Sequence, residues 1–541
     1  MTATVPIEES MPTDTSCQVF RGLSSEALTP GAVHGLVVGQ ESELRAFSAD
    51  EAAAELGDPF ATEILLKGTF PRFAGEVLDA FATVGTDGDP LRSAKFFLVG
   101  DGSQVLFTPE TASVDRNMRF LITLGNGSEG PDVMFSSFDP GEGDVELMAW
   151  DRGRGGFNYY QTVGDSSGWV FAGNSRDALL ADSEDKGPFE AHPSGNVVMK
   201  ELKTPWINWH SPAASILPSA FAEDDPLRQH PWLELARQEP DGAITAERLI
   251  RLAIGRWTRA RFAAITADGG RVDRPERIVR QIVTSPAVNL VSSHVESPLV
   301  GEDPVDLPPT FFADIDGLVR VGLAAPPEGF GMVSAALYRE SMQAFDMRLE
   351  DGQGFVQPGD THFVFVVPER AAEDQAVLDA AIANGLLTDR LAACLLMIDF
   401  PNPVFSRRRT SLLRHVPPTA TLTAGADVFS RAMAEGILAA AGTDEGSGER
   451  EFAERWGAGD GWRAEFDRLL GAYYAAVNEQ LATQAGLDDV IRLAESRRDH
   501  VRGNDRLARM PISESPLLFA RTNVPPAERV MRSDATVAEI A

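Results

Sequence analysis

An α+β chain is what this sequence predicts, with an antiparallel β-rich unit toward the N-terminus and a helical C-terminus, and two observations carry that expectation. Between residues 95 and 174, short apolar or alternating runs are separated by clusters of Gly, Asp, Asn and Pro, the pattern of strands joined by tight turns. Beyond residue 240, longer stretches with helical apolar spacing take over.

The strand-like runs are 96–99, 105–108, 120–123, 133–137, 145–150, 157–163 and 169–172. Seven runs so closely spaced favour an antiparallel sandwich or barrel-like unit over repeated βαβ crossovers. Ahead of them, 49–56 reads as a short helix, because Ser48 with Glu51 three residues on forms a capping box and Gly57 ends it. A second helix is expected over 75–84. Further on, 246–265 and 275–283 read as helices, the latter opened by Pro275 at a first-turn position where no backbone donor is missed. The next stretch mixes strand runs (289–293, 310–313, 362–367) with helices (334–349, 369–383, 391–396), and 450–498 is amphipathic enough for two helices. The organisation expected is a flexible tail over 1–30, a β-rich domain over 31–186, an aromatic and His-rich segment with helices over 187–288, an α/β unit over 289–420, and a helical C-terminal region with an extended tail over 421–541.

The chain has 541 residues, 43% of them hydrophobic, which is ordinary globular usage and enough for more than one core. Asp and Glu number 80 against 48 Lys and Arg, a net charge of -32 that repels phosphate backbones and anionic bilayers, so neither nucleic acid nor membrane is an expected partner. Cys17 and Cys394 are the only cysteines, too few for a disulfide framework, and Cys394 lies in an apolar run as a small core residue. The first residues lack a basic segment followed by an apolar one, and no apolar run approaches the roughly 20 residues that span a bilayer. A cytoplasmic protein is the expectation.

The phosphate-loop, HExxH and paired CxxC signatures do not occur. A formal GxGxxG at Gly125, Gly127 and Gly130 is followed by Pro131 and a strand run, where a dinucleotide site needs a helix N-terminus, so it reads as a hairpin loop. The GxSxG match over 164–168 lies between two strand runs and reads the same way. The SxxK match of Ser183 and Lys186 sits in a polar, acidic stretch and reads as surface.

Residues 187–210 concentrate two histidines, three prolines and two tryptophans. Phe157-Asn158-Tyr159-Tyr160, then Trp169 to Gly173, then His192 followed by Ser194, Gly195, Met199, Glu201, Leu202, Pro205, Trp206, Asn208 and Trp209, form a pattern that resembles a haem-attachment segment of c-type cytochrome-like proteins. In that family CxxCH precedes a GxxxMKEL and PWxNW run. Here Pro188 and Ala191 occupy the cysteine positions, so thioether attachment of haem is chemically impossible. The resemblance then implies non-covalent haem or iron, or no cofactor, with His192 as an axial ligand, Met199, His210 or His230 as its partner, and Trp206 and Trp209 lining the pocket.

Two smaller constellations carry chemistry. His294 and Glu296 are two apart at the end of a strand run, spacing that puts both on one side as metal ligands beside His192 and His210 or a downstream histidine such as His362 or His415. Asp360 and His362 share that spacing, and with Arg408 of the run 407–409 they would serve a cofactor-free hydrolase or lyase, the arginine holding a substrate carboxylate or phosphate. The function expected is therefore a metal- or haem-dependent oxidoreductase acting on a small organic molecule. The alternatives are the cofactor-free enzyme and a binding or scaffold protein whose haem-like segment survives as core.

Overall fold

The computed structural model describes residues 25–41, 43–100, 105, 107–112, 114, 116, 118–164, 166–197, 208–284, 288–291, 302–350, 354–359, 367–422, 427–502 and 521–540, with the backbone alone at 288–291, 367–368 and 501–502. Its α+β architecture is built on one eight-stranded sheet and a largely helical C-terminal half.

The strands of the sheet are β1 (Val33–Gly35), β2 (Arg45–Ala46), β3 (Lys95–Val99), β4 (Arg119–Leu124), β5 (Val133–Ser137), β6 (Glu146–Asp151), β7 (Gly156–Gln161) and β8 (Trp169–Asn174), in the order β2-β1-β8-β7-β6-β5-β4-β3. From β3 to β8 they form an antiparallel meander, and β1 joins β8 in parallel. Six of the seven sequence runs are strands. Of the seventh, 105–108, the described residues 105, 107 and 108 lie in no strand: Val105 is buried in the second core and its carbonyl accepts from the Arg116 guanidinium at 2.8 Å, so tertiary contacts override its apolar pattern.

Helices cover the sheet because its strands are apolar on both faces; all six residues of β7 are buried. The helices are α1 (Ala49–Glu55), α2 (Pro59–Glu63), α3 (Ala74–Phe81), α4 (Pro231–Gln238) and α5 (Ala243–Ala267). The Ser48–Glu51 capping box forms as expected. From α2, Phe60 meets Tyr160 and Trp169 edge-on, while Tyr159, pointing the other way, packs against Phe189. The glycine loop 125–130 is a hairpin connection between β4 and β5, and Gly130, at φ 94°, lies so close to α5 that a Cβ there would sit 2.8 Å from the Ala253 nitrogen. Arg256 of α5 locks the loop by pairing with Asp132 at 2.9 Å and lying 4.3 Å over Trp150.

The second core is helical: α6 (Pro275–Val283), α7 (Ile315–Arg320), α8 (Ala335–Ala344), α9 (Ala372–Ala383), α10 (Asp389–Leu396), α11 (Arg407–Ser411), α12 (Val428–Ala440), α13 (Gly448–Gly457), α14 (Trp462–Leu481) and α15 (Gln484–Arg502). Pro275 opens α6 as expected, and Cys394 is fully buried on α10, its thiol pushed up to about 12 by that burial. Several expectations need correction. Residues 310–313 are no strand, since Pro308 and Pro309 fix φ and start a 3-10 turn, Pro309–Phe311. The stretch 334–349 is α8 followed by a strand, Arg348–Glu350, after a break at Asp346 with φ 47°. Residues 450–498 hold three helices, with breaks at the 3-10 turn Gly459–Gly461 and at Ala482 and Thr483. Ser183 is fully buried, its hydroxyl accepting from Gln40 at 2.9 Å, so the SxxK match is not all surface. The C-terminal segment ends in a hairpin, Arg529–Met531 against Val537–Glu539, clipped to the core by Asn402, whose amide exchanges hydrogen bonds with both the N–H and the carbonyl of Met531. Helix α5 serves both cores: Ile250, Ile254 and Trp257 belong to the first and Phe262 to the second. No described helix is long and apolar enough to cross a membrane.

Candidate functional site

His192 and His210 do not share a pocket. The His192 ring packs 5.2 Å from the Tyr159 ring on β7, with Nδ1 3.1 Å from the Asn196 carbonyl. His210 sits at the opposite part of the sheet, its N–H donating to the Leu98 carbonyl on edge strand β3 and its ring Nδ1 accepting from the Ile216 N–H. Two rulers agree on the separation. Strands β7 and β3 are four places apart, roughly 19 Å at strand spacing. Along α5, Trp257 donates to the carbonyl of Ser194, two residues after His192, whereas Ala243 donates to the carbonyl of His210; those fourteen residues span about 21 Å of helix. Ligands to one ion lie about 2 Å from it, so these two rings serve no common centre.

The local reasons are plain. His210 is held neutral, its pKa lowered by burial and by the Arg237 charge, which suits an imidazole that accepts a backbone N–H. Trp209 is buried with Phe97, Ala246 and Leu249, and its backbone bridges Val99 at the sheet edge. His230 caps α4 by accepting from the Trp232 N–H, and His34 accepts from the Thr29 N–H. His415 bonds Glu449 at 2.9 Å. These imidazoles do structural work. Met199, Trp206, His294, Glu296, Asp360 and His362 lie outside the described residues. Among the described residues, no cluster of three or more His, Cys, Asp or Glu side chains is placed to hold a metal ion.

The arginine run 407–409 leads elsewhere. Its three members go three ways: Arg407 pairs with Glu528 at 2.7 Å, Arg408 with buried Glu451 at 2.8 Å, and Arg409 is wholly buried, donating to the carbonyls of Val283, Ile398, Asn402 and Pro403. Arg407 and Arg408 line a cleft of about 910 Å³. It is formed by the end of α6, the loop 399–406 with α11, the end of α15, and the C-terminal hairpin.

Charge in this cleft runs against the rest of the chain. Six arginines (280, 407, 408, 497, 529 and 532) face it with three carboxylates, Asp399, Glu451 and Glu528. Arg497 is buried and donates to the Phe311 and Pro401 carbonyls and the Asn402 side chain, with no carboxylate in ion-pair range among the described residues; burial draws it down to about 10. Burial likewise lowers Arg409 to about 10. Both stay cationic at neutral pH, so two buried positive charges, hydrogen-bonded to carbonyls and the Asn402 amide and held from further off by Asp399, lie at and behind the cleft wall. The carboxyl of Glu451 is raised by burial, against the pull of Arg408 and Arg455. Asp399 holds its loop in a left-handed turn, φ 49°, by accepting from Asn402 and Ser406.

Sequence reading reached Arg408 but missed Arg497, Arg532 and His500. The usable signal was arginine density, at 407–409, 497–498 and 529–532, in a chain otherwise rich in Asp and Glu. In comparisons with protein-family models, curated proteins and solved structures, nothing matches this chain.

Proposed function

We propose that the chain binds a small organic anion, carrying a phosphate or carboxylate, in the arginine-lined cleft between α11, α15 and the C-terminal hairpin. The observation that carries this reading is the local charge reversal: an arginine-rich cleft, backed by the carbonyl-held Arg497, in a protein of net charge -32. A buried cation without a carboxylate is costly, and an anion seated beside it offsets that cost. Guanidinium groups that already hold one carboxylate keep further N–H donors for a second. Arg532, exposed on the hairpin, makes no side-chain ion pair with a described residue. This reading keeps the expected small-molecule substrate and the anchoring role of the arginines. Arg408, engaged by Glu451, acts as a positioning residue for the wall.

Titration calorimetry of the full chain with pyrophosphate at low ionic strength tests it. Binding that weakens with added salt, and weakens about tenfold in Arg532→Ala with an unchanged melting temperature, is the expected result. Equal heats in the variant, or none in either protein, would overturn the reading.

A further inference from the structure

The cleft is not lined by charge alone. Pro401, Val404, Phe405, Val530 and Ile540 give it an apolar side, which an inorganic ion has no use for. Within that side, the rings of Phe405 and His500 lie 4.1 Å apart at 38°, and both line the cleft. Phe405 is half-buried and His500 exposed, so ring surface remains open to a guest. His500 differs from the other described histidines in having no hydrogen-bond partner among the described residues; its charged neighbours are Arg407 and Glu528 at the same rim. A flat apolar surface thus stands beside guanidinium groups, the combination that recognises a planar ring and its anionic substituent together.

We propose that the ligand of this cleft is a flat aromatic molecule bearing the phosphate or carboxylate, its ring stacked on the Phe405–His500 pair and its anionic group held by Arg407 and Arg532. This rests on the anion reading above. Each part of the guest finds its counterpart: the ring covers apolar surface otherwise open to water, and the charge meets donors that the rim carboxylate Glu528 does not exhaust.

The test compares two pairs of probes on the full chain by calorimetry at low salt: AMP against ribose 5-phosphate, and phenyl phosphate against cyclohexyl phosphate. Each pair keeps the anionic group and changes the ring. The aromatic member should bind about tenfold more tightly in both pairs, the usual size of one stacked ring. Phe405→Leu should bring AMP down to the affinity of ribose 5-phosphate and leave the latter unchanged, while Phe405→Trp should retain the preference. Equal binding within each pair overturns the aromatic proposal and leaves the anion reading intact. Failure of all four probes to bind overturns the anion reading and this proposal with it.

Discussion

Two cases of buried charge, one in each core, are held in opposite ways. In the sheet unit, Asp58 is a wholly buried carboxylate, and its oxygens accept from the N–H groups of Phe60 and Ala61, from Asn158 at 2.7 Å and from Tyr160 at 2.5 Å. Neutral donors surround it, and α2 is thereby pinned to the middle strand β7. In the helical unit, beside buried ion pairs such as Arg370 with Asp314, two buried guanidinium groups, Arg409 and Arg497, donate to neutral acceptors. The first arrangement closes on itself, with four donors spent on one carboxylate. The second sets two guanidinium groups at and behind the wall of a cleft, with no carboxylate in ion-pair contact among the described residues. Burial of a charge is therefore no mark of a site; what counts is whether its field has been spent before it reaches open space.

Substitutions at three positions would break or sharpen that contrast. Arg409→Met should have the largest effect, since four carbonyls lose their donor, and a loss on the order of 4 kcal/mol in urea unfolding is expected. A neutral or stabilising outcome would mean that burying the charge costs as much as its hydrogen bonds return. Asp58→Ala should cost about 3 kcal/mol by stranding Asn158, Tyr160 and two backbone donors, with Asp58→Asn milder. Because burial raises the Asp58 carboxyl, its linkage contribution is fully present below the unfolded value and is lost as pH rises through the folded one. The stability advantage of wild type over Asp58→Asn should thus shrink between acid and neutral pH, and a gap that widens would reverse the assignment. The smallest effect belongs to His500, whose pKa is lowered by partial desolvation against the cleft wall although much of the ring is open, with Arg407 adding to the shift and Glu528 opposing it. Anion affinity should rise a few-fold as pH falls through that lowered value, and His500→Gln should flatten the profile.

What could be read in advance was local. The capping box at Ser48 and Glu51, the Pro275 helix start and the glycine hairpin at 125–130 each depend on residues within a few positions of one another, and each appears as expected. The histidines failed for the same reason in reverse. His192 and His210 are eighteen residues apart in the chain but belong to different strands' surroundings, and nothing local encodes that. The cleft was hidden by distance: Arg407 meets Glu528 across 121 residues and Asn402 meets Met531 across 129. Density of aromatic and imidazole groups marked packing, because such rings fill volume and satisfy backbone donors where loops cross a sheet.

Helix α5 sets a limit on how this protein comes apart. Across its 25 residues it packs in both hydrophobic cores, Ile250 to Trp257 in one and Phe262 in the other, and a continuous helix resists melting in one half while the other stays wound. Heat should consequently produce a single calorimetric peak rather than two, and a fragment cut before Ala243 would strip the sheet of the rod that roofs it.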